Sequence, residues 1–136
     1  MVKTDMGKIS RMTVSVMTVA LLATHQVDAS FQREWELFGV PGGIEFFLLF
    51  NLVAVGVLLF SLVKLAANQK SGAFWRFIIP TTGLLTTGIH GFFFAAGRTE
   101  FSQPVSVAIL AILFLSSVSG FVLEVRKGHT HGAPKH

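Results

Sequence analysis

The chain has no cysteine and no tyrosine among its 136 residues. Missing cysteine excludes disulfides, thiolate metal ligands, thiol redox chemistry and a cysteine nucleophile, so any metal site must be built from histidine and carboxylate. Charge is also scarce, at 13% Asp, Glu, Lys and Arg, against about 25% in ordinary soluble domains. No G-x-S-x-G elbow, Walker A loop or dinucleotide fingerprint is present, which removes the commonest hydrolase and nucleotide-binding signatures. Membrane desaturases and hydroxylases need many histidines, and only two lie in apolar segments here. The balance leans away from an enzyme.

What is abundant is apolar surface. Hydrophobic residues make up 51% of the chain and the mean hydropathy is +0.65. A net charge of +4 and a pI near 10.0 would fit nucleic acid if the cations formed one basic face. They flank apolar segments instead, so they read as topology signals, and the bilayer rather than nucleic acid is the expected partner.

Four apolar segments are expected to cross the membrane as helices, at about residues 9–29, 44–67, 74–96 and 105–125, each near the roughly 20 residues a span requires. The first segment ends in Thr24-His25-Gln26-Val27-Asp28-Ala29. It has a rival reading as a secretory signal peptide, with Lys3, Lys8 and Arg11 as a basic n-region and Val27-Asp28-Ala29 as a small-residue cleavage site before Ser30. That alternative would leave a three-span subunit. Against it, helical spacing continues past Ser30. Phe31, Trp35 and Phe38 recur on one stripe, as in a short interfacial helix or an overhanging end of the first span, and Glu34 falls about 60° from Phe31, turned towards the protein. Val40-Pro41-Gly42-Gly43 should break one helix before the next begins.

The expected fold class is therefore all-α: an integral membrane four-helix bundle with a short interfacial helix between spans one and two. In span three, Gly83, Thr86, Thr87 and His90 share a small polar face suited to helix contact, and span four carries the small pair Ser116 and Gly120. Pro80 should kink span three. Pro104 sits well at the first turn of span four, and Phe92-Phe93-Phe94 reads as lipid-facing packing. Asn51 reads as an interhelical hydrogen bond or a path lining. Such small-residue faces also suit self-association or other membrane subunits. The tail, 126–136, reads as flexible; His129, His131 and His136 there could bind a metal only weakly.

Lys and Arg fix the expected orientation. Lys3, Lys8, Arg11, Lys64, Lys70, Arg76, Arg126, Lys127 and Lys135 lie on one side, and only Arg33 and Arg98 on the other. Both termini should be cytoplasmic. This places His25, Asp28, Glu34, Glu45 and His90 in the outer half, with His25 and His90 at matched depth to within a few Å at 1.5 Å per residue. Intramembrane ionisable residues are costly and rarely face lipid, so a shared polar site is the expectation.

Three readings of that site stay open. It is a structural hydrogen-bond network in an accessory membrane protein, a divalent metal site with His25, Asp28, Glu34, Glu45 and His90 as candidate ligands, or a haem b held between His25 and His90. A haem or metal at His25 and His90 would make the alternative an electron-transfer or enzymatic protein. The two-metal bundle pattern needs two Glu-x-x-His pairs, and the chain has none.

His25-Gln26-Val27-Asp28-Ala29, followed by Arg33-Glu34-Trp35, resembles a family of small uncharacterised four-span bacterial membrane proteins whose first span ends in H-E-x-D-A, then E-W. Gln26 stands where that family has glutamate. The HXXEE-type membrane proteins look like more distant relatives. The resemblance implies a retained first span in a bacterial inner membrane, and it brings no established activity.

Overall fold

The computed structural model describes residues 2–67, 72–98 and 102–131. The remaining expected loop and tail positions, including Lys70, Glu100 and His136, lie outside the described residues. Among the described residues the chain forms five helices, α1 (Val2–Phe31), α2 (Glu34–Leu37), α3 (Gly43–Ala66), α4 (Gly72–Ala95) and α5 (Pro104–His131). No strand occurs among the described residues. The fold is an all-α bundle, and α1, α3, α4 and α5 are long and apolar enough to cross a membrane.

Local chemistry sets the breaks. Arg33 takes a left-handed backbone, φ 56°, which ends the helical run and costs a residue with a Cβ about 1–2 kcal/mol. At the end of α2 the Val40 amide donates to Trp35 O and the Gly39 amide to Glu36 O, with Gly39 at φ 60°. This Schellman closure satisfies carbonyls the short helix leaves open. The same closure ends α4, with Arg98 N–H donating to Phe93 O, Gly97 N–H to Phe94 O and Gly97 at φ 79°. The Arg33 break divides the expected Phe31–Phe38 stripe between the end of α1 and the short helix α2. Phe31 belongs to α1 and is 81% exposed, so only four residues form the short helix.

The long helices alternate in direction, and α5 packs against both α1 and α4 while α3 lies against α4 and α1. This makes a ring in the order α1, α5, α4, α3, with the parallel pair α1 and α4 also meeting across the diagonal. The apolar core is small: Val19, Leu22, Leu58, Ile79 and Leu113. Leu52, Phe92 and Val105 are among many large apolar side chains turned outwards, the inverse of a soluble bundle and the surface a lipid environment requires.

Helix contacts rest on small residues. Thr18 Oγ1 donates to Ser116 Oγ across α1 and α5 at 3.1 Å. A Cβ added to Gly83 would collide with Ser117 Oγ, and one added to Gly120 would sit 3.5 Å from Pro80 and from Val14. Without a hydrophobic drive between helices in lipid, such close approach supplies the packing. Helix α4 runs unbroken through Pro80. Asn51, expected to bond between helices, instead donates to Phe47 O in its own helix at 3.0 Å. Phe92 and Phe94 are exposed as expected, whereas Phe93 packs on Phe38. Helix α5 continues to His131, beyond the start of the expected tail at Arg126.

Candidate metal centre

Two helices and a turn converge at one end of the bundle. Helix α1 brings His25 and α4 brings His90, each on the diagonal where these parallel helices meet. Because both sit a similar number of residues from their helix ends, their rings touch, with centroids 4.6 Å apart at 86°. Glu34 arrives from α2, whose direction is set by the left-handed Arg33 before it. Arg33 and Glu36 pair on the exposed side, Trp35 packs on Phe47 with ring centroids 5.5 Å apart, and Phe38 packs on Phe93. These contacts pin the turn and leave Glu34 pointing inwards.

The three side chains are closed off from solvent, His25 and Glu34 at 3% exposure and His90 at 4%. One ligand atom from each lies within 4.8 Å of the others. His90 Nε2 is 3.2 Å from Glu34 Oε1, and His90 Nδ1 is 2.9 Å from the Thr86 carbonyl oxygen. A carbonyl only accepts, so Nδ1 carries a hydrogen and donates to it. The lone pair of a neutral imidazole then falls on Nε2, facing a carboxylate that also accepts when ionised. A hydrogen shared between Nε2 and Oε1 resolves this opposition, and so does a cation held by both.

That arrangement matches a metal-binding histidine, whose far N–H donates to a backbone carbonyl and so directs the other nitrogen at the ion. Ligand atoms of a tetrahedral zinc at 2.0–2.2 Å lie about 3.4 Å from one another, so the group needs an inward movement of about 1 Å to close. Two imidazoles and one carboxylate form the shell of many catalytic zinc and non-haem iron centres, which keep further positions open.

Of the other candidate ligands, Asp28 is half-buried and Glu45 exposed, and neither joins the group. Three residues of helix turn Asp28 about 60° off the His25 direction, while Glu45 opens α3 on the outer rim. A haem would need the two imidazoles on opposite faces of a flat macrocycle, and rings in edge-to-face contact do not form that slot. The side chains of His129 and His131, and all of His136, lie outside the described residues.

The opposite end of the bundle holds a pair that sequence reasoning passed over. Arg11 Nε lies 3.8 Å from Glu124 Oε1, with the glutamate side chain almost fully enclosed. A lone acid near the end of the expected apolar span, about residues 105–125, was the available signal.

One family model matches residues 11–127, a range that takes in the Arg11–Glu124 pair and all three members of the cluster. The chain belongs to DUF6713, a family of unknown function. This agrees with its resemblance to an uncharacterised family. No curated protein and no solved structure matches it. In this DUF6713 member the buried cluster of His25, Glu34 and His90 is the feature that bears on function.

Proposed function

We propose that this is a small integral membrane protein whose His25, Glu34 and His90 bind one divalent transition-metal ion, zinc being the ion best suited to the donor set. It sits in a bacterial inner membrane with both termini cytoplasmic, and the first segment is retained as a span. Its role is that of an accessory or structural subunit, with the metal tying the outer turn to the helices.

The observation that carries this reading is the facing of His90 Nε2 and Glu34 Oε1 at 3.2 Å, with His25 against the same ring. Retention of the first span is supported by α1 running unbroken through the expected cleavage point after Ala29. Orientation is supported by the excess of Lys and Arg on one side.

The test is a zinc titration of the full chain in detergent with a competing chelator. One ion per chain should bind, and Glu34→Gln should weaken it by at least about a hundredfold, because even outer-shell partners of metal ligands contribute 10–100-fold. Equal zinc affinity in wild type and Glu34→Gln would refute the site. Without metal, the same geometry with a shared hydrogen is a hydrogen-bonded latch, and the titration separates the two.

A further inference from the structure

Three protein ligands leave a zinc-type ion with an open position, and the structure holds two polar groups beside this site that no contact yet explains. Among the described residues, Ser106 Oγ and Gln32 Nε2 are enclosed without a hydrogen-bond partner. Ser106 as a whole residue is almost completely buried.

Two helix registers place Ser106. On α1 and α5, Thr18 meets Ser116 and Arg11 meets Glu124. Moving seven residues outward on each antiparallel helix brings His25 level with Ile109. On α4 and α5, Gly83 lies against Ser117, and the same seven residues bring His90 level with Leu110. Both registers put Ser106 about one turn, or roughly 5 Å, beyond the two imidazoles. Gln32 is seven residues after His25, so it lies near the same face two turns further out. Ala29, between them on α1, is small and buried.

The site is thus continued outwards by a small residue and two enclosed donors. An amide N–H donates only, and a serine hydroxyl also donates, so their partner must accept hydrogen bonds. Glu34 supplies one negative charge against two on the ion, and Asp28, half-buried at the Ser106 level, is the other acid nearby. We propose that Ser106 and Gln32 line the path to the open position of the metal and hold there an exchangeable oxygen ligand, the carboxylate or carbonyl group of a small substrate. This rests on the metal reading above.

The experiment uses the full chain in detergent loaded with Co2+, whose visible absorption reports its ligands, titrated with formate as the oxygen-donor probe. Formate should shift the spectrum saturably. Ser106→Ala and Gln32→Leu should each weaken formate about tenfold, the weight of a hydrogen bond to a charged group, with Co2+ affinity unchanged. Ser106→Thr should restore it. Unchanged Co2+ affinity also shows that the variants fold. A cobalt spectrum that ignores formate, or formate binding indifferent to both substitutions, would overturn the subsite while leaving the metal centre standing. Failure to bind Co2+ at all would remove both.

Discussion

Thr86 gives His90 a carbonyl and Glu34 gives it a carboxylate, so this imidazole is the most constrained group in the site. His90→Ala removes both bonds and leaves Glu34 buried without its partner. We expect a loss of about 3–5 kcal/mol, as for a broken buried pair, together with loss of zinc binding, read by denaturation in mild detergent and by titration. The Arg11–Glu124 pair at the opposite end is weaker because Arg11 is partly exposed and the 3.8 Å separation is long. Glu124→Gln should cost about 1–3 kcal/mol, discounted for solvent. A contrary case is Ser117, whose buried hydroxyl has no partner. Ser117→Ala should be neutral or stabilising in the same assay, and should relieve part of the destabilisation caused by Gly83→Ala. At this scale the sequence shows which residues are ionisable and apolar-flanked, enough to name His25, Glu34 and His90. It does not show that Glu45 stays on the rim, because the Gly42–Gly43 turn sets where α3 begins.

Helix α2 is the shortest element that supplies a residue to the site. His25 and His90 stand on long helices, whereas Glu34 rides on four residues between the left-handed Arg33 and the turn at Gly39. If the ion binds all three, it fastens this turn to the bundle, and the exposed peptide at Arg33 should become protected. Trypsin cleavage after Arg33 should slow severalfold when Zn2+ is added and return with chelator, an effect absent in His25→Ala; local opening governs such cleavage. Protection unaffected by zinc would show that Glu34 does not close on the ion. Hydropathy makes the four long helices legible, since each needs about 20 apolar residues. The shortness of α2 is not legible, because a non-glycine residue in the left-handed region at Arg33 leaves no mark in periodicity.

The whole molecule is a ring of four helices with ionisable groups at both ends and a thin apolar core between them. Every contact of α1, from Arg11–Glu124 through Thr18–Ser116 to His25–His90, depends on the first segment being kept. A chain beginning at Ser30 would lose one wall of the bundle and one of the three ligands. The charge bias gives an orientation that a reporter fused after His136 can check, with activity expected on the cytoplasmic side. Depth matching of His25 and His90 was readable from 1.5 Å per residue, while the ring order that seats them on a diagonal depends on small-residue packing at Gly83 and Gly120, which spacing alone does not rank. The most direct measurement is native mass spectrometry of the purified protein after exposure to Zn2+. A zinc site at His25, Glu34 and His90 requires a chain that retains His25 and carries one zinc ion. A chain starting at Ser30, or an intact chain with no zinc, would contradict it.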